Sequence, residues 1–113
     1  MADDCIFCRI VRREIPATIV HEDDHCVAFR DINPQAPVHV VIITRDHVAS
    51  LDNASSSAQL GALSIAARDI ARSEKIAKSG YRTVVNTNSD GGQTVFHLHM
   101  HVLGGRHMTW PPG

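Results

Sequence analysis

Apolar positions recur with two different periods along this chain. Ile6, Phe7, Ile10 and Val11 repeat at three and four residues and lead into Arg12 and Arg13. That spacing predicts a short helix over 5–14, capped by Asp3 or Asp4 and closed by Pro16. Segments 18–22 and 25–31 read as two strands joined by an Asp23-Asp24 turn, which makes a hairpin. Segment 33–37 carries Pro34 and Pro37, which fix φ and remove ladder donors, so it reads as a rigid loop. Val38–Thr44 is a third strand, and its unbroken apolar run at Val40, Val41, Ile42 and Ile43 predicts burial on both faces.

From Ser56 to Ala77 the period lengthens. Leu60, Leu63, Ala67, Ile70 and Ala71 mark one long helix, capped from the Ser55-Ser56-Ser57 cluster and stopped at Gly80. Segments 81–86 and 95–103 are the fourth and fifth strands, separated by a glycine loop at 89–93, and Gly104-Gly105 ends the last strand. A hairpin, a strand, one helix and two more strands give an α+β domain. The expected sheet is five-stranded and mainly antiparallel, with one long and one short helix.

Composition narrows the picture further. A chain of 113 residues suits a single domain over 1–113, large enough to fold on its own core. Valine and isoleucine together far outnumber leucine, as a pleated sheet prefers. Eleven basic against twelve acidic residues argue against a nucleic-acid binder, and no apolar run approaches the length of a membrane span. The acidic N-terminus lacks the basic start and apolar stretch of a secretory signal. Three cysteines cannot make a closed disulfide framework, so the simplest compartment is a reducing one, the cytoplasm.

Eight histidines stand out in so small a chain, and three of them form His97-Leu98-His99-Met100-His101. On a strand the side-chain period is two, which puts all three on one face about 6.7 Å apart, while Leu98, Met100 and Val102 turn to the core. A polar sheet face, a metal site and a phosphate site are the competing readings. Neutral imidazole is a good nucleophile at phosphorus, and at pH 7 about three-quarters of unperturbed imidazoles are neutral. Gly91-Gly92 just upstream lets backbone amides approach an anion. Cys5 and Cys8 have the spacing of zinc ligands, but two further ligands are needed from elsewhere. Cys26, on a strand, reads as a small buried hydrophobe. His21, His25 and His107 read as ordinary surface residues.

The motif His97-x-His99-x-His101, followed by Val102-Leu103, resembles that of the histidine triad (HIT) family. Segment 29–39, the loop around Gly91-Gly92-Gln93-Thr94, Gly104-Gly105-Arg106 and the closing Trp110-Pro111-Pro112-Gly113 resemble the Hint branch of that family in the same order. Together they cover essentially the whole chain. The resemblance implies a HIT-like fold and a nucleotidyl hydrolase acting on nucleoside 5′-phosphoramidates. It implies His99 as nucleophile, His101 as the group that binds phosphate or assists the leaving group, and His39 as a supporting histidine. Asn86 and Thr94, with the amides around Gly92, Gln93 and Val95, would hold the phosphate. Asp31 would bind ribose, Ile32 would pack on the base and Trp110 would lie near a partner's site. Thr94 stands where serine is common in the branch.

Zinc-containing bacterial members resemble this chain in the set Cys5, Cys8, His47 and His97, which implies a closed structural zinc and no metal in catalysis. The resemblance also implies a homodimer and purine nucleotide or phosphoramidate ligands. Two other classes stay open at this stage. One is a nucleotide-binding scaffold with incidental hydrolysis; the other is a zinc enzyme that uses the triad as ligands.

Overall fold

A computed structural model describes residues 4–113. The element order is α1 (Ile6–Val11), β1 (Ile19–Glu22), β2 (Cys26–Arg30), β3 (Val38–Thr44), α2 (Ser57–Ser73), β4 (Tyr81–Val84) and β5 (His99–Gly104). The five strands form one sheet in the order β1-β2-β3-β5-β4, with every neighbouring pair antiparallel. This is the α+β architecture that the patterning predicts.

The central strand β3 is buried on both faces. Val40 and Ile42 face α2, where they join Cys26, Ala28, Leu98 and Val102 against Leu63, Ala67, Ile70 and Ala71. Val41 and Ile43 face the other way and join Val27 and Phe29, covered by Ile10 with Phe7, Val11 and Ile15. Fully burying a side chain such as Leu63 or Ile70 stabilises by roughly 1.5–3 kcal/mol, so the α2 face carries most of the fold. The opposite face is only partly covered by the six-residue α1. Register then decides where the chemistry falls. His101 lies opposite Val41 and His99 opposite Ile43, so both histidines share the α1 face.

The helix boundaries differ from the expected ones. The N-cap of α1 is Cys5, whose Sγ accepts from the Cys8 N–H, and not Asp4; Asp3 lies outside the described residues. Both helices end in Schellman turns built on basic residues. In α2, Lys75 has φ 62°, with Lys75 N–H donating to Arg72 O and Ile76 N–H to Ala71 O. In α1, Arg13 has φ 62°, with Arg13 N–H donating to Ile10 O and Glu14 N–H to Arg9 O. The long helix therefore stops at Ser73 rather than near 77, and Gly80 (φ 110°) instead leads into β4. Ile76, just past the turn, is buried in the core and holds this exit in place.

The fifth strand also starts later than the pattern suggests, at His99 rather than 95. Residues 95–97 bend, because Gln93 draws the chain inward through Nε2 bonds to Ala49 O and Val95 O. His97 therefore precedes the strand and does not stand in a flat row with His99 and His101.

Candidate active site

Three backbone groups and one ring-to-ring contact set the chemistry of these histidines, because each fixes a ring tautomer. A carbonyl oxygen only accepts, so a ring nitrogen bonded to one carries a proton. His99 Nδ1 lies 2.7 Å from the His97 carbonyl, which puts the proton on Nδ1 and leaves the lone pair on Nε2. His97 Nε2 lies 2.7 Å from Thr44 O, which puts its proton on Nε2 and leaves the lone pair on Nδ1. Gln35 N–H donates to His39 Nδ1 at 3.0 Å, so the proton of a neutral His39 is on Nε2. His39 Nε2 then donates to His101 Nδ1 at 2.9 Å, and the remaining N–H of His101 is at Nε2.

The nucleophile candidate His99 and the donor candidate His101 stand side by side, with ring centroids 5.1 Å apart. Both line a cavity of about 300 Å³, together with Phe7, Ile10, Phe29, Asp31, Ile32, Val41, Asn86, Gly92, Thr94 and Val95. The lining combines apolar side chains of α1 and β2 with imidazoles, Asn86, Thr94 and the glycine loop. That mixture suits a ligand with a flat apolar part and a compact anionic part.

Electrostatics keep the rings neutral. Burial pushes His101 down to about 4, assisted by His99 and His39 and opposed by Asp31. Burial also lowers His39 and His99 below the ordinary imidazole value, with Asp31 pulling both upward. All three are therefore uncharged at pH 7, which a nucleophilic imidazole requires.

Asp31 serves two partners. Its Oδ1 accepts from Asn33 N–H at 2.8 Å, an Asx turn, while Oδ2 lies 3.4 Å from His39 Nε2. The glycine loop is held by close approach. A Cβ on Gly91 would meet the Thr87 backbone oxygen at 2.4 Å, and Gly92 adopts φ 80°. Gln93 is buried and spends its side chain on the Asn88, Ala49 and Val95 backbone, so it braces the loop from behind rather than lining the cavity. Ile32 is fully exposed at the rim. Trp110 is 81% exposed and does not line this cavity. His25 and His107 are exposed, whereas His21 is half-buried and bonded to Asp23 at 2.8 Å.

Beside the cavity, Cys5, Cys8, His47 and His97 bring their ligand atoms within 4.8 Å of one another. The His97 Nδ1 lone pair faces Cys5 Sγ at 3.3 Å and Cys8 Sγ at 3.4 Å, and His47 Nδ1 lies 3.2 Å from Cys8 Sγ. Two thiols and two imidazoles, one with its outer N–H held by a carbonyl, fit a tetrahedral zinc site. Cys26 takes no part: burial pushes its thiol up to about 12, and it packs in the core. Phe29 opens the matched segment 29–39, whereas Phe7 and the Thr44 and Gln35 backbone groups are site components that motif reading missed. Only Phe7, an aromatic on a short amphipathic helix, carried a signal of its own.

Residues 12–108 match the HIT domain. The purine nucleoside phosphoramidase of Escherichia coli is 49% identical over 94% of this chain and 91% of its own. A HIT family hydrolase from Legionella pneumophila superposes with a TM-score of 0.94 at 50% identity, covering 97% of this chain and 100% of that one. A zinc-bound histidine triad family protein from Mycobacterium smegmatis superposes with a TM-score of 0.84 at 28% identity, covering 94% of this chain and 78% of that one.

Proposed function

Because the chain belongs to the HIT domain family and is a hydrolase, we propose that it cleaves purine nucleoside 5′-phosphoramidates through a covalent nucleotidyl-His99 intermediate. The observation that carries this reading is the 2.7 Å bond from His99 Nδ1–H to the His97 carbonyl. It leaves a neutral imidazole with its Nε2 lone pair free, in a residue that lines the cavity.

His99 Nε2 attacks the α-phosphorus, and the P–N bond to the amine breaks. The resulting nucleotidyl-imidazole is activated toward water, which releases the nucleoside monophosphate and returns the bonding pair to His99. The amine leaves with a proton taken from solvent as the P–N bond breaks; in the second step water gives its hydroxyl to phosphorus and returns a proton to solvent, so over both steps one water is consumed. The Nε2–H of His101 donates to a phosphoryl oxygen or to the leaving nitrogen, and His39 holds it in that tautomer. Asn86, Thr94 and the amides of Gly92, Gln93 and Val95 hold the phosphate, Asp31 accepts from the ribose and Ile32 closes on the base.

Cys5, Cys8, His47 and His97 would hold a structural zinc, which supplies a cross-link and no chemistry at phosphorus. A reducing, cytoplasmic setting keeps its two thiols available. Residues 1–113 act as one domain, and the functional unit is a homodimer. The edge strand β4 with its exposed Tyr81, and the exposed Trp110, are the surfaces a second copy would cover. Light scattering of the purified chain checks the dimer.

The catalytic reading is tested with adenosine 5′-phosphoramidate and the His99→Ala variant. Turnover by wild type and none by the variant, with nucleotide binding kept, is the expected result. Binding without turnover in wild type would leave a nucleotide-binding protein instead.

A further inference from the structure

His97 belongs to two clusters at once. Its ring nitrogen faces the two sulfurs, and its carbonyl holds the Nδ1 proton of His99. Phe7 makes a second link. It sits between Cys5 and Cys8 in sequence, and its ring lies edge-on to His97 and to His99 at 5.9 and 5.1 Å while lining the main cavity. Thr94 and Val95 make a third. Like Ile6, they line both the main cavity and a surface cavity of about 430 Å³ that Cys5 and His47 also line.

The elements carrying these links are weakly held by their own structure. α1 has six residues, well below the length at which a helix persists by itself in water. Segment 95–97 is bent and unladdered, and leans on Gln93 and on the His97 ring. Anything that fixes Cys5, Cys8, His47 and His97 to one centre fixes α1, the bend and the Nδ1 acceptor of His99 together.

We propose that the Cys5–Cys8–His47–His97 cluster is a positioning device for the neighbouring cavity. Through His97 and Phe7, a divalent metal at the cluster and a nucleoside monophosphate in the cavity bind cooperatively. This rests on the reading that the cavity takes a nucleotide. With the four donors fixed, less of α1 and of the bend remains to be ordered when the nucleotide arrives. By linkage the nucleotide then raises metal affinity by the same factor. Two thiolates and two imidazoles select zinc as the metal to test.

The experiment measures both directions of the linkage on the full chain. Calorimetric titration of adenosine 5′-monophosphate into zinc-loaded and zinc-stripped protein should give a dissociation constant at least about fivefold smaller with zinc. Zinc withdrawal from the loaded protein by a chromogenic chelator, with and without the nucleotide, should show the same factor, and it needs no folded metal-free protein. The ¹⁵N spectrum of His99 should report one tautomer, protonated at Nδ1, with zinc and a mixture without it. Equal zinc affinity with and without a nucleotide that does bind would overturn the coupling and leave the metal purely structural. Absence of zinc uptake would overturn it as well. Failure of the nucleotide to bind either form would instead overturn the nucleotide reading itself.

Discussion

On the α1 face of the sheet, two groups of histidines sit next to each other and are prepared for opposite work. In the group of Cys5, Cys8, His47 and His97, a carbonyl takes the outer proton of His97 and turns its lone pair toward two sulfurs. In the group of Asp31, His39, His99 and His101, one ring is left with a lone pair beside the cavity and its neighbour with an N–H. Both groups use imidazoles, one beside two thiols and the other beside a carboxylate. For His97 and His99 the difference lies in which ring nitrogen meets a backbone carbonyl, so the backbone path assigns the role of each ring.

The sharpest way to break this contrast is to remove the free lone pair. His99→Ala should lower kcat for a phosphoramidate by at least about a thousandfold, while Tm moves by only a few degrees. Residual turnover near wild type would move the nucleophile elsewhere.

Cys8→Ala should act on the other group. It should abolish stoichiometric zinc, measured by metal analysis. With free zinc a hundredfold above its dissociation constant, the lost stabilisation is about 2.7 kcal/mol, seen as a lower Tm in wild type after chelation and as no chelator effect in the variant.

Acid should act on a buried imidazole in each group, since burial pushes both His97 and His101 down to about 4. His101 titrates at about 4 in the fold against 6.5 when exposed. As pH falls below 6.5 the unfolded chain takes up a proton that the folded chain refuses, so stability falls and levels off below about 4. Between pH 7 and 5 this one residue costs about 2 kcal/mol, read from urea midpoints. His101→Asn should remove this share of the slope and leave that of His97. Turnover requires the neutral form of His99, so its acid limb should lie below the ordinary imidazole value of 6.5.

The smallest effect is expected at His39, which touches His101 and does not line the cavity. His39→Gln should reduce kcat by about tenfold with KM little changed, as loss of one hydrogen bond of roughly 1–1.5 kcal/mol implies. An unchanged kcat would show that His39 does not hold the tautomer of His101.

Much of this arrangement was legible in the sequence, and the gaps have physical causes. Strand periodicity put His99 and His101 on one face, and the apolar run of β3 announced burial on both sides. The helix ends were hidden because Lys75 and Arg13, not glycines, adopt positive φ, held by turn bonds and the buried Ile76. The bend that lifts His97 off the strand comes from the Gln93 side chain reaching Ala49 O, a contact between distant segments that no local pattern encodes. Tautomers were illegible for the same reason, since Thr44 O and Gln35 N–H are groups that every residue carries. The role of the Gln93 side chain was also hidden: the motif points to its backbone amide, whereas the side chain braces the loop from behind.

In the proposed mechanism His99 carries the nucleotidyl group. Mixing the protein with adenosine 5′-phosphoramidate, quenching within milliseconds at alkaline pH and mapping peptides by mass spectrometry tests it directly. An adenylyl group on His99, formed and lost at rates compatible with turnover, is the predicted result. Steady turnover with no adduct on His99, or with the adduct on His101 or His39, would contradict the account.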